Sequence, residues 1–260
     1  MHVDHHVHST YSDGRFMWAM CQAAADAGLD GIGIADHANV STRDRYVRTK
    51  AAMGFNLDVT YERRRAGIEM LRERFDLEIY DAVELDFDSH DVPEIEAFLA
   101  EAGFDYAIGS VHYLDGTNVH FESYFSGKSE GERADLVETF FDKTVALLET
   151  ELFDIAAHVD LVERNPALRG FATEEQYRRV ADAAAASNTL IEINAGRALD
   201  EYGEFHPTPD FLDELATRDV DFVCSTDAHA AAELGERVDE LERFVESRGL
   251  DPVTVEATRG

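Results

Sequence analysis

Residues 4–8 read Asp4-His5-His6-Val7-His8. In an extended strand, positions i, i+2 and i+4 share a face, so Asp4, His6 and His8 are expected to point together and His5 and Val7 away. Two imidazoles on one face can reach a single metal ion, although a lone pair of this kind is also compatible with a solvated surface. Later apolar runs end in the same way. Gly31-Ile32-Gly33-Ile34-Ala35 leads into Asp36-His37, and Ala82–Phe87 carries Glu84 and Asp86 on one face. Gly109-Ser110-Val111 leads into His112, Ile155-Ala156-Ala157 into His158 and Asp160, and Phe222–Thr226 into Asp227-Ala228-His229. A row of buried histidines and carboxylates without a shared task is costly, because each polar group needs its own partner. One metal cluster satisfies them together.

These residues must be positioned by a regular scaffold, and the pattern around them supplies one. Strand-like runs fall at 2–8, 30–36, 80–87, 105–112, 153–159, 189–194 and 220–226. Helical patterns fall between them at about 15–27, 61–75, 93–102, 133–149, 174–187 and 209–218, with another near 236–248. Thr60-Tyr61-Glu62-Arg63 reads as one helix start, Pro93 as the first position of another, and Thr173-Glu174-Glu175-Gln176 as a capping box. Gly28, Gly103 and Gly249 read as helix stops. Alternating strands and helices indicate a parallel sheet in an α/β fold. Polar residues at the C-terminal strand ends favour a barrel over an open sheet, since barrel strands converge on one mouth. Residues 37–60 and 113–132 interrupt the alternation and are expected to form loops or short helices over that mouth.

Composition narrows the function further. With 54 Asp and Glu against 23 Lys and Arg, the formal charge of the 260 residues is −31. The acids are spread along the whole length, and lysine occurs only at 50, 128 and 143. Such a surface resembles those of salt-in halophiles, repelling itself at low ionic strength and screened in concentrated salt. It offers no basic track for a nucleic acid. No run approaches the roughly 18 apolar residues of a membrane span, and the start Met1-His2-Val3-Asp4 has no leader pattern; a cytoplasmic protein is expected. Cys21 and Cys224 are expected to be buried small hydrophobes. No Gly-x-Ser-x-Gly elbow, P-loop or dinucleotide glycine pattern occurs. Nothing in the sequence sets the number of subunits.

The ordered motifs resemble the PHP family, the polymerase and histidinol phosphatase metallohydrolases. The resemblance rests on His6-Val7-His8, Ser12-Asp13-Gly14, Asp36-His37, Glu84, His112, His158 and Ser225-Thr226-Asp227-Ala228-His229, from residue 2 to about 235. Thr226 stands where glycine-serine is commoner. The resemblance implies a single domain over 1–260 folded as a distorted seven-stranded (β/α)7 barrel. It also implies three divalent ions, zinc, manganese or iron, at nine ligands. His6, His8, Glu84 and Asp227 would hold one, Asp13, His37 and His229 a second, and Glu84, His112 and His158 a third, with Glu84 bridging. Asp4, Asp36, Asp86 and Asp160 are expected to orient histidines or cap strand ends. A metal-bridging water is the expected nucleophile, and Glu84, Asp227 and Arg197 the groups nearest the chemistry.

A phosphate dianion also needs cationic donors, and Arg197 after the sixth strand is the first candidate, followed by Arg164. The Gly109–Gly116 segment, Ala157-His158-Val159-Asp160-Leu161 and Glu192-x-Asn194 are similar to the histidinol-phosphatase branch of that family. The expected activity is hydrolysis of L-histidinol phosphate, with Glu122 in the 113–132 loop a candidate for its ammonium group. A phosphoesterase acting on nucleotides or other small monoesters, or a non-catalytic module, would keep the same fold. His206 is expected to be a loop residue rather than a ligand.

Overall fold

The computed structural model describes residues 1–255. Four strands open the chain: β1 (Val3–Val7), β2 (Gly31–Ala38), β3 (Glu78–Asp86) and β4 (Tyr106–Ser110). A short antiparallel hairpin, β5 (Tyr113–Leu114) and β6 (Thr117–Asn118), follows, then β7 (Ile155–Ala156), β8 (Leu190–Asn194) and β9 (Phe222–Ser225). The large sheet runs β1-β2-β3-β4-β7-β8-β9 with every pairing parallel. It curls until a parallel bridge between Val7 and Ala228 joins its two edges. The seven strands thus make a nearly closed barrel.

Outside lie α1 (Met17–Asp26), α2 (Asp44–Met53), α3 (Leu57–Arg72), α4 (Val92–Ala102), α5 (Glu122–Ser126), α6 (Glu130–Glu149), α7 (Glu174–Ala186), α8 (Pro209–Ala216) and α9 (Ala231–Arg248). Val7, Ile32 and Ile34 face outward into a cluster with Met20, Ile68 and Leu234. Ala35, Ala82, Ile108, Leu190 and Val223 face inward and form an apolar floor with Tyr106 and Val255. Two residues after each floor position stands a polar one: His37, Glu84, Ser110, Glu192 and Ser225. Period-2 alternation therefore stacks a polar layer directly over an apolar one.

Several boundaries differ from the sequence expectation. The helix expected from Thr60 begins at Leu57, because the Thr60 hydroxyl bonds back to the Asn56 carbonyl and Leu57 is fully buried. Pro93 occupies the second helical position, after Val92. The helix expected from 133 starts at Glu130, under a reciprocal Ser129–Glu132 capping box, and the last begins at Ala231 rather than 236. Gly103 and Gly249 end helices in the left-handed conformation, while Gly28 follows the cap Ala27. The 37–60 excursion contains α2, and the 113–132 excursion contains the hairpin and α5. Residues 256–260 of the expected single domain lie outside the described residues.

Candidate metal centre at the barrel mouth

On β1 the expected alternation fails. Register against β2 shifts between Asp4 and Val7, a bulge that adds one residue to β1. Asp4 therefore does not join His6 and His8; it accepts from Thr226 N–H at 3.0 Å and from the Thr226 hydroxyl at 2.5 Å. His6 and His8 still converge, with their Nε2 atoms 3.1 Å apart and both rings fully buried. The far side of the His6 ring is fixed by Glu192, whose Oε1 lies 2.8 Å from Nδ1.

Asp13 reaches the mouth from a tight turn. The Ser9 carbonyl accepts from the N–H groups of Ser12 and Gly14, and a Cβ at Gly14 would overlap the His8 carbonyl, so only glycine fits there. The turn is anchored from outside the barrel: Asp36 accepts from Ser9 N–H and from the hydroxyls of Ser9 and Ser12. Fully buried Arg64 of α3 bonds Asp36 at 3.0 Å and Asp81 at 2.7 Å. Asp13 then stands 3.4 Å from His229 Nε2, 3.7 Å from His8 Nδ1 and 3.8 Å from His37 Nε2.

Glu84 is the hub. Its Oε2 lies 2.7 Å from His37 Nδ1, 3.2 Å from His6 Nε2 and 3.6 Å from His8 Nε2. Its Oε1 lies 3.0 Å from His158 Nε2 and 3.4 Å from His112 Nε2, and accepts from the Ser110 hydroxyl. Asp86 sits behind His112, 2.6 Å from Nδ1, as an orienting acceptor. Neither His112 nor His158 lies within a strand, since β4 and β7 end before them. Asp227 completes the ring 3.2 Å from His8 Nε2. A Cβ at Gly196 would collide with the Asp227 carboxylate. His158 and Asp227 both hold positive φ, at 31° and 50°, conformations that persist where neighbours over-determine them. Here Glu192 accepts the His158 N–H, and Arg237 donates to the Asp227 carbonyl.

Eight of the nine residues expected from the sequence fall into three overlapping groups at this mouth: His8 with Asp13, His37 and His229; His6 with His8 and Asp227; His37 with Glu84 and His112. The first adds His8 to the expected Asp13, His37 and His229, the second lacks the expected Glu84, and the third takes His37 where His158 was named; His158, the ninth, stands beside Glu84 Oε1. Oε2 of Glu84 is buried amid three imidazoles without accepting a hydrogen bond from any. Nitrogen and oxygen donors crowded this way around an unsatisfied carboxylate oxygen fit a set of divalent ions.

Charge at the cluster agrees. Burial alone would neutralise Glu84 and Asp227, but surrounding imidazoles hold both carboxyls well below their usual range. Burial likewise disfavours a charged His6 or His37, yet Glu84, joined by Glu192 at His6, raises both, His37 to about 10. His8 is pushed down to about 4 by burial and by His229 and His37. Without ions the cluster thus carries protons on some rings where a cation would sit.

A cavity of about 500 Å³ opens above the cluster, and Arg164, Arg197, His120 and Glu122 all line it. Arg197 pairs with Asp200 at 2.8 Å. The Arg164 guanidinium has no such pair among the described residues; burial and neighbouring Arg197 lower it to about 10. Glu122 opens α5 and is exposed on the outer wall. His206 does lie in a loop, but it is buried, with Nδ1 2.7 Å from Asp160. The orienting role of Glu192 and the anchor Arg64 were not found in the sequence, because their partners lie 186 and 28 positions away. A carboxylate two residues before the strand-end Asn194 was the available signal for Glu192.

A probable histidinol-phosphatase of Deinococcus radiodurans is 26% identical over 236 residues, covering 90% of this chain and 87% of that protein. The crystal structure of histidinol phosphate phosphatase from Lactococcus lactis subsp. lactis, complexed with zinc, L-histidinol and phosphate, superposes with a TM-score of 0.78 at 19% identity, covering 97% of this chain and 95% of that one. That of a putative histidinol phosphatase from Listeria monocytogenes gives 0.70 at 16%, covering 92% and 99%. At these identities the superpositions establish the barrel. No described helix is long and apolar enough to cross a membrane. The sequence from residue 4 to residue 196 matches the PHP domain, and with most of its length so matched the chain belongs to the PHP domain family.

Proposed function

We propose that this protein is a metal-dependent phosphomonoesterase that hydrolyses L-histidinol phosphate to L-histidinol and phosphate. The observation that carries the reading is one cavity with a histidine and carboxylate cluster at its base and two guanidiniums, Arg164 and Arg197, on its wall. Three divalent ions, zinc, manganese or iron, fit the nine donors. Bound there, they would lower the pKa of a shared water and neutralise charge on the phosphoryl oxygens. Glu84 offers one oxygen to each half of the cluster. Glu192 and Asp86 fix the rings of His6 and His112 from behind. Arg164, without an acidic partner, and Arg197 are placed to bind non-bridging phosphate oxygens. Glu122 and His120, which line the same cavity, suit a leaving group bearing an ammonium and an imidazole. The histidinol phosphatases named above support this choice of substrate. The −31 charge supports a saline cytoplasm as the working medium, and the continuous run of seven barrel strands supports one domain over residues 1–260 as the functional unit.

The test is kcat/KM for histidinol phosphate against nucleoside and sugar monophosphates, in high salt with Mn²⁺ or Zn²⁺. A preference of at least about tenfold, roughly 1.4 kcal/mol in barrier, is expected for histidinol phosphate. A flat profile leaves a general phosphoesterase, and inactivity on every monoester and on an aryl phosphate leaves a non-catalytic module. Arg164→Ala and Arg197→Ala are each expected to lose rate while keeping their metal.

A further inference from the structure

We infer that His206, fixed by Asp160, is a positioning residue whose Nε2 accepts, through one bridging water, the hydrogen bond that His158 donates from Nδ1. The inference rests on His158 turning Nε2 toward the metal cluster, as its 3.0 Å approach to Glu84 Oε1 indicates.

Two buried nitrogens carry it. Nδ1 of His158 and Nε2 of His206 are both buried and both lack a hydrogen-bond partner, in rings only 3% and 2% exposed. Such atoms carry a desolvation cost unless something satisfies them. Their polarities are complementary and fixed independently. With Nε2 engaged at the cluster, a neutral His158 keeps its proton on Nδ1 and must donate there. His206 Nδ1 lies 2.7 Å from Asp160 Oδ1, while Asp160 Oδ2 accepts from Thr208 N–H. Carboxylate oxygens that accept from both partners place the His206 proton on Nδ1, so a neutral His206 presents Nε2 as an acceptor.

The two rings are 6.5 Å apart between centroids and inclined at 75°. That spacing is too long for a direct bond and suits a single water, which a polar buried gap with partners on both sides will hold. Tyr202 stacks at 5.1 Å on His206, and the backbones of His206 and Asn194 exchange hydrogen bonds. The acceptor is therefore held by β8 and Tyr202 as well as by Asp160, two residues beyond His158. A ligand histidine whose outer N–H is so engaged keeps one tautomer and one ring orientation.

The experiment uses zinc-loaded, ¹⁵N-labelled protein and its His206→Leu and His206→Gln variants. In the wild type, ring ¹⁵N correlations should show His206 protonated on Nδ1 alone, and a His158 Nδ1–H protected from exchange. Chelator competition should show His206→Leu weakening its most weakly held ion by about tenfold or more, with His206→Gln, which keeps an acceptor, recovering most of that loss. An Nε2–H or doubly protonated His206 overturns the proposal even if no variant folds. Equal affinities in all three proteins, or equal losses in both variants, overturn it too. Failure of the wild type to bind zinc removes the metal reading of the site instead, and the His206 tautomer still decides the acceptor.

Discussion

Glu84 concentrates the site into one side chain, because its two oxygens face different imidazoles on the two halves of the cluster. Glu84→Gln keeps the shape but replaces an anionic donor with a neutral amide. The expected outcome is loss of at least one ion equivalent by elemental analysis and a fall in kcat of a hundredfold or more, about 2.7 kcal/mol in barrier. Proton bookkeeping gives a second expectation. His6, His37 and His229 have raised pKa values in the protein without ions, and each ring must be neutral to bind one. Metal binding at pH 7 should therefore release protons, and affinity should rise with pH. His8, lowered to about 4, adds nothing to that release. Titration calorimetry in buffers of different ionisation enthalpy measures it; proton uptake would contradict the assignment. Among the nine donors, His37, His112, His158, Asp227 and His229 were legible because they end apolar runs, and His6, His8 and Glu84 because of strand alternation, whereas Asp13 came only from the family motif Ser12-Asp13-Gly14. Glu192, Arg64 and the bulge that turns Asp4 toward Thr226 were not legible, since each depends on a partner brought near only by folding.

At the level of elements, helices hold the mouth from outside. Arg64 of α3 is fully buried and joins Asp36 of β2 to Asp81 of β3, and Asp36 in turn holds the turn that presents Asp13. Removing one partner strands the others, so Arg64→Ala should cost about 3–5 kcal/mol of stability, read by urea denaturation. Ser129→Ala, which breaks the capping box of α6, should cost only about 1 kcal/mol. The order of strands and helices was readable from alternation of apolar runs, and the Thr173 cap was found in place. Helix starts at Leu57 and Glu130 were missed because burial of Leu57 and the Ser129 box outweigh the local signals chosen.

For the molecule as a whole, acidity and closure matter most. The charge of −31 spread over one barrel implies self-repulsion that salt relieves. The thermal midpoint should climb as KCl is raised from about 0.1 M to 2 M, the Debye length shrinking from about 10 Å to below 3 Å; no change would remove the halophilic reading. Closure has a different consequence. Along the barrel each strand pairs with its neighbour in chain order, except at the seam between β1 and β9. Among the described residues the hydrogen bonds there include the bridge at Val7 and Ala228, in which His8 N–H donates to the Ala228 carbonyl, the Thr226–Asp4 pair and the 3.4 Å contact of His5 Nδ1 with the Cys224 carbonyl. His6 and His8 flank the seam on one side, Asp227 and His229 on the other. An ion gripping both sides acts as a clasp between chain segments more than two hundred residues apart, and binding at a hundredfold above Kd adds about 2.7 kcal/mol to the closed form. Stripped of ions, the barrel should unzip there first: amide exchange at His8 and Thr226 should accelerate while that of β2 and β3 stays slow. Metal supply would then govern how long the folded protein survives as well as how fast it works.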